Sequence, residues 1–203
     1  MTKSKINFAR VAVQTLCIAC CVSGAGIAAA GMVIPIKASV AQIMLTHAFD
    51  QNLKQAALKK KPKYSNWTDM TPVGRIAVPH LGISKIVLDT GSRQAMSVGP
   101  TLVPGTAAIG AQGTSVIAAH RDTHFRFLKD VKVGDAVVAT DKDGVARNYR
   151  VTRTEIVEWD NFVIEQDQPQ NELALSTCYP FDSTEQGPLR YVVHAMEQRD
   201  EAT

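Results

Sequence analysis

Cysteine is scarce in this chain and unevenly placed. Cys17, Cys20 and Cys21 fall within the first 21 residues, and Cys178 is the only one beyond them. A single thiol leaves the rest of the chain without an internal disulfide, and the lack of a Cys-x-x-Cys pair there excludes a dithiol redox centre. Charge is missing from Val11 to Ile36, a run of 26 residues without Asp, Glu, Lys or Arg. Also lacking are an internal repeat and a spaced acidic loop of the kind that holds calcium. A basic surplus is confined to the N-terminal third: residues 1–69 hold nine Lys/Arg against two Asp/Glu, whereas residues 70–203 hold thirteen against seventeen. An acidic folded part is poor equipment for nucleic acid, and no such partner is expected.

The uncharged run is long enough to cross a bilayer with some tilt. Its small residues (Gly24, Ala25, Gly26, Ala28, Ala29, Ala30, Gly31) raise the alternative of a cleaved signal peptide. The stretch is longer than a usual signal core, which favours a retained anchor. Lys3, Lys5 and Arg10 precede it and Lys37 and Lys54 follow, so the positive-inside rule modestly favours a cytoplasmic N-terminus. The expected division is a cytoplasmic segment 1–10, a transmembrane anchor 11–36, a juxtamembrane helix and basic linker 37–71, and an extracytoplasmic domain 72–203 on the outer side of the cell (inner) membrane. Cys17, Cys20 and Cys21 have no histidine or carboxylate near them to complete a metal site, and they match a lipoprotein signal poorly. They read as small apolar residues of the span. Lys59-Lys60-Lys61-Pro62-Lys63 reads as a solvated tether.

From residue 73 the hydrophobic period shortens. Residues 74–79, 85–89, 114–120, 136–140, 148–152, 154–158, 172–176 and 189–194 are short runs rich in β-branched residues, parted by Gly, Pro, Asn or Asp. About eight strands with little helix predict an all-β fold, a closed barrel or a sandwich. Closure removes the exposed edges that would otherwise pair with other chains.

Chemistry concentrates at strand ends. Cys178 closes the run Leu173-Ala174-Leu175-Ser176-Thr177, Arg190 follows twelve positions later, and His120 ends a run 58 residues before the cysteine. Each has a plain structural explanation alone: a core cysteine, a surface histidine, half of an ion pair. Together they are the parts of thiol-based acyl transfer, with a nucleophile, a proton carrier and an oxyanion-stabilising cation. Several thiol chemistries fail on spacing. A cysteine phosphatase needs arginine six residues after the cysteine, where this chain has Thr184. Papain-like and L,D-transpeptidase nucleophile blocks are absent. His124 has no third ligand nearby, and no metal or cofactor is expected. Asp122 reads as a partner of Arg121 or a turn cap. His47, His80 and His194 read as structural or solvated.

Leu175-Ser176-Thr177-Cys178 resembles the nucleophile strand of sortases, usually written Thr-Leu-x-Thr-Cys, and Gly187-Pro188-Leu189-Arg190-Tyr191 resembles their arginine strand. Ala119-His120-Arg121-Asp122 resembles the Gly-His-Arg-Asp block, with Ala119 where glycine is usual, and Pro104-Gly105-Thr106 resembles the segment before it. The resemblance covers about residues 70–198, and the anchor followed by a helix is most like the proteobacterial (class GN) sortases. It implies a sortase-type closed β-barrel with short helices. It also implies a cysteine transpeptidase cleaving a C-terminal Leu-Pro-x-Thr-Gly-like (LPXTG-like) sorting signal between Thr and Gly, through a thioacyl-enzyme resolved by an amine acceptor. Cys178 would attack, His120 would move protons and Arg190 would bind the substrate oxygen. Ala119 and Thr177 would flank the acyl site, and the loop from Trp159, Asn161 and Phe162 to Asn171 would line the substrate groove. The implied partners are the sorting-signal protein, the amine carrier and, through the anchor, the lipid bilayer. Two alternatives remain open at this point: a hydrolytic endopeptidase and a peptide-binding module with an inert thiol.

Overall fold

The structure, a computed structural model, describes residues 2–57, 70–89, 93–161, 170–185 and 187–198, with the backbone alone at 2–13, 28–37, 55–57 and 93. The chain divides into two compact units, residues 1–39 and 40–203. A single helix, α1 (Thr2–Ala57), runs through the boundary expected at 36 and 37 without a break. Among the described residues no helix is long and apolar enough to cross a membrane. The span expected at 11–36 lies partly outside the described side chains, and the linker residues 58–69 lie wholly outside the described residues.

The second unit is built on eight strands: β1 (Pro72–Val78), β2 (Ile83–Leu88), β3 (Thr101–Leu102), β4 (Thr114–Ala118), β5 (Ala136–Asp141), β6 (Ala146–Glu158), β7 (Glu172–Cys178) and β8 (Leu189–Glu197). They close in the order β1-β2-β3-β4-β7-β8-β6-β5. Of the two expected all-β forms, the closed barrel is therefore the one adopted. Its seam is the antiparallel β1–β5 pair, where Gly74 lies opposite Asp141. A Cβ at Gly74 would stand 2.5 Å from the Thr140 carbonyl oxygen and 2.6 Å from Ile109 Cδ1, so closure at this point needs glycine.

Two runs expected as separate strands, 148–152 and 154–158, form the one strand β6, whose register against β8 shifts between Val151 and Arg153. A bulge of this kind resets the inside–outside alternation and makes one bent strand look like two in sequence. β3 and a short helix, α2 (Arg93–Val98), are additional. Inside the barrel Ile76, Val78, Val87, Ile117, Leu173, Leu175 and Val193 meet Phe125 and Leu128 from the β4–β5 connection. The C-terminal part of α1 covers β1 and β2. Gln42 accepts from the Ile86 amide (2.9 Å) and donates to the Val98 carbonyl (3.0 Å), completing backbone pairing where β3 is too short to do so. Further along, Asp50 pairs with Arg75, whose guanidinium lies 5.3 Å from the Phe49 ring centroid.

One buried polar group lies at the start of β7. Glu172 accepts from His194 Nδ1 (2.6 Å) and from the Thr114 hydroxyl (2.8 Å), while His194 Nε2 reaches Glu155 (2.8 Å). Both ring nitrogens of His194 thus face carboxylate oxygens, which act as acceptors when ionised. His194 holds the Glu172 carboxyl below the usual carboxylate range against the opposing effect of burial. Stability from a depressed carboxyl is present above its unfolded value, about 4.3, and is lost as pH falls through the folded value. Glu172→Gln should therefore cost about 2 kcal/mol at pH 7. In urea titrations the gap to the wild type should narrow as the pH falls below the unfolded value of about 4.3. A gap constant with pH would rule out this linkage.

Candidate active site

The rim of the barrel where β4 and β7 end carries Cys178 and Arg190, with His120 just past the end of β4. β4 and β7 pair in parallel, Thr114 with Glu172 through Ala118 with Ser176, a constant offset of 58 residues. The ladder continues as the Ala119 amide donates to the Ser176 carbonyl (3.2 Å) and the Thr177 hydroxyl donates to the Ala119 carbonyl (2.7 Å, again 58 apart). His120 precedes Cys178 by the same 58 residues, so the ladder brings the two to one level. On the other side β8 runs antiparallel to β7 and sets Arg190 directly opposite Cys178.

The alternation of a strand decides which face each side chain takes. Ile117 on β4 and Ala119 just past its end, Leu175 on β7 and Val193 on β8 belong to the interior core. His120, Cys178 and Arg190 have the opposite parity and lie on the outer face. His120 is exposed, and Cys178 and Arg190 are half-buried. Val116, Ala174 and Val192 form a second, smaller apolar cluster on that outer face, packed with Val103 and Val157. An extended peptide laid along β7 towards Cys178 would find an apolar floor and then the reactive rim.

Arg190 is fixed by its own loop: Nη1 donates to the carbonyls of Gly187 (3.0 Å) and Leu189 (2.9 Å). Beneath the rim Tyr179, Phe181 and Tyr191 pack ring on ring, with centroids 5.2–6.3 Å apart. Phe181 and Tyr191 also rest on the interior core. This aromatic group anchors the residues that follow Cys178 and Arg190.

Among the remaining expected site residues, Ala119 and Thr177 are buried, at 4% and 3% exposure, and their contacts hold β4 to β7. Trp159 is 63% exposed, and its amide donates to the Pro188 carbonyl (2.8 Å), which puts it beside the loop that leads to Arg190. Asn161 is exposed and closes a turn on the Glu158 carbonyl (3.1 Å). The rest of the expected groove loop, Phe162 onward through residue 169, lies outside the described residues. Cys17, Cys20 and Cys21 sit exposed on α1.

His124 is buried against the Ser97 carbonyl (3.4 Å), and burial pushes its ring to a lower pKa, which keeps it neutral near pH 7. Among the described residues no group of three or more His, Cys, Asp or Glu could hold a metal ion. Asp122 is exposed and, among the described residues, makes no ion pair with Arg121. Arg121 instead turns inward and donates from Nη2 to the Glu185 carbonyl (2.5 Å). Sequence reasoning missed this contact and the outer apolar cluster. The second had a signal, since Leu173-Ala174-Leu175 is apolar at consecutive positions and so serves both faces.

A closed barrel with a thiol, an imidazole and a guanidinium on one outer rim is a scaffold equipped for cysteine acyl chemistry. A family profile described as the sortase domain matches residues 76–198. The chain belongs to the sortase family, whose members are transpeptidases. It is 29% identical over 189 residues to sortase D of Bacillus subtilis (strain 168), covering 83% of this chain and 93% of that one. Sortase A from Corynebacterium diphtheriae shares the fold, with a TM-score of 0.59 at 20% identity over 81% of this chain and 87% of the other. Sortase C from Clostridium perfringens, solved with a C-terminal cell wall sorting motif, superposes with a TM-score of 0.55 at 18% identity, over 76% and 88% of the two chains.

Proposed function

We propose that this protein is a cysteine transpeptidase acting on a C-terminal sorting signal of the Leu-Pro-x-Thr-Gly kind. The observation that carries the reading is the pairing register, with one offset of 58 through β4–β7 and Arg190 opposite Cys178. The Cys178 thiolate adds to the threonine carbonyl carbon, and the oxygen that gains charge accepts hydrogen bonds from Arg190. The C–N bond then breaks, His120 gives a proton to the leaving glycine amine, and a thioester remains on Cys178. A primary amine attacks that thioester, His120 takes its proton, and the thiolate departs from the new amide. Solvent exposure of His120 suits exchange with an entering amine.

The outer apolar cluster supports a groove floor for the leucine side of the motif, with Trp159 and Asn161 as its wall and the backbone at Ala119 and Thr177 as its inner edge. The sorting motif in the Clostridium perfringens sortase C structure supports the substrate class by analogy. Membership of the proteobacterial class, the anchor over residues 11–36 and an extracytoplasmic catalytic domain are also part of this reading. The uncharged run and the N-terminal basic residues support them.

Incubating the full chain with a Leu-Pro-Ala-Thr-Gly peptide should add the acyl fragment to Cys178 by mass spectrometry. Adding diglycine should convert most of it to the amide product. Product dominated by the free acid at saturating diglycine would establish the hydrolytic alternative. No adduct, with a slowly alkylated thiol, would establish the inert binding module.

A further inference from the structure

Arg121 follows His120 directly, yet its side chain points away from solvent and is only 9% exposed. Its Nη2 donates to the carbonyl of Glu185, in the loop that leaves Cys178 and returns at Arg190. That loop is folded on itself, with the Glu185 amide on the Ser183 hydroxyl (3.1 Å) and the Ser183 amide on the Pro180 carbonyl (3.4 Å). Two residues further on, Arg190 grips the Gly187 carbonyl. Two arginines, one from the turn after β4 and one from β8, thus hold one loop, and each sits next to a residue of the rim or is one itself.

The arrangement is costly. Among the described residues no carboxylate pairs with Arg121, and its Nη1 is buried without a hydrogen-bond partner. Buried ionic groups are often replaced by well-packed apolar residues of similar volume with no loss of stability, or with a gain. A buried unsatisfied donor calls for an explanation other than stability. An arginine stem that only packed would carry its head to water, and this one does not.

We infer that Arg121 is a positioning residue: it clamps the segment Tyr179–Glu185, which follows Cys178, to the His120 turn and so sets the spacing of His120 against Cys178 and Arg190. The inference rests on the transpeptidase reading for its effect on turnover, but the clamp is a property of the fold alone.

The test uses the full chain with Arg121→Met, which keeps length and removes charge and donors, and Arg121→Lys, which keeps one charged donor. Arg121→Met should melt within about 2 °C of the wild type or above it. Hydrogen exchange at the amides of Ser183, Thr184 and Glu185 should be faster, and kcat/KM for the Leu-Pro-Ala-Thr-Gly peptide with diglycine should be lower by on the order of tenfold to a hundredfold, mainly in kcat. Arg121→Lys should recover part of both. Unchanged loop exchange with kcat/KM within twofold of the wild type would overturn the inference. So would activity lost in step with a collapsed melting temperature and no rescue by lysine. Loop exchange is read without turnover: a wild type that forms no thioacyl adduct refutes the transpeptidase reading and leaves the clamp measured.

Discussion

Cys178→Ala should leave a folded protein with no thioacyl species and no amide product above background. Loss of a nucleophile from a cooperating catalytic set costs on the order of a millionfold in turnover, more than any other single change here. The fold should tolerate it. Cys178 is half-buried on the outer face, and β7 is held by backbone pairing to β4 and β8 that the substitution does not touch. A stability change of about 1 kcal/mol or less is expected. Cys17, Cys20 and Cys21 supply an internal control, because they are thiols exposed on α1. Changing all three to serine should leave thioacylation at Cys178 intact. An adduct that persists in Cys178→Ala would sink the assignment of the nucleophile.

Arg190→Ala should lower kcat by about a hundredfold to a thousandfold with a smaller change in KM, the signature of an interaction made mainly in the transition state. Arg190→Lys should rescue little. The guanidinium uses Nη1 to bracket two carbonyls of its own loop, Gly187 and Leu189, and its planar fork carries further donors for a substrate oxygen. A lysine ammonium is a point charge on a flexible stem and cannot hold both roles in one geometry. Rates near wild type for the alanine variant, measured with the same peptide and amine, would remove Arg190 from the mechanism.

The barrel was legible because strands announce themselves by period, and most runs from Gly74 to His194 fell where strands formed. β3 escaped because two residues carry no period, and α2 because six residues between turns look like loop. The bulge after Val151 split β6 in sequence but not in space. Within the site, Cys178, Arg190 and His120 stood out as reactive types at strand ends, yet sequence could not show that they share a rim. That follows from a parallel β4–β7 register, which depends on the whole barrel. Arg121 stayed hidden for a similar reason: its partner is a backbone carbonyl 64 residues away, and a carbonyl has no residue type to read.

The parallel ladder between β4 and β7 also bears on when the chain becomes reactive. No single strand holds more than one of the three rim residues, and β5 and β6 intervene between histidine and cysteine. Non-local parallel pairing forms late, after large loops have closed. A chain still being synthesised therefore carries Cys178 without His120 and Arg190 set beside it. Its acyl chemistry is withheld until β7 docks between β4 and β8, so the barrel's own completion works as a built-in safety catch.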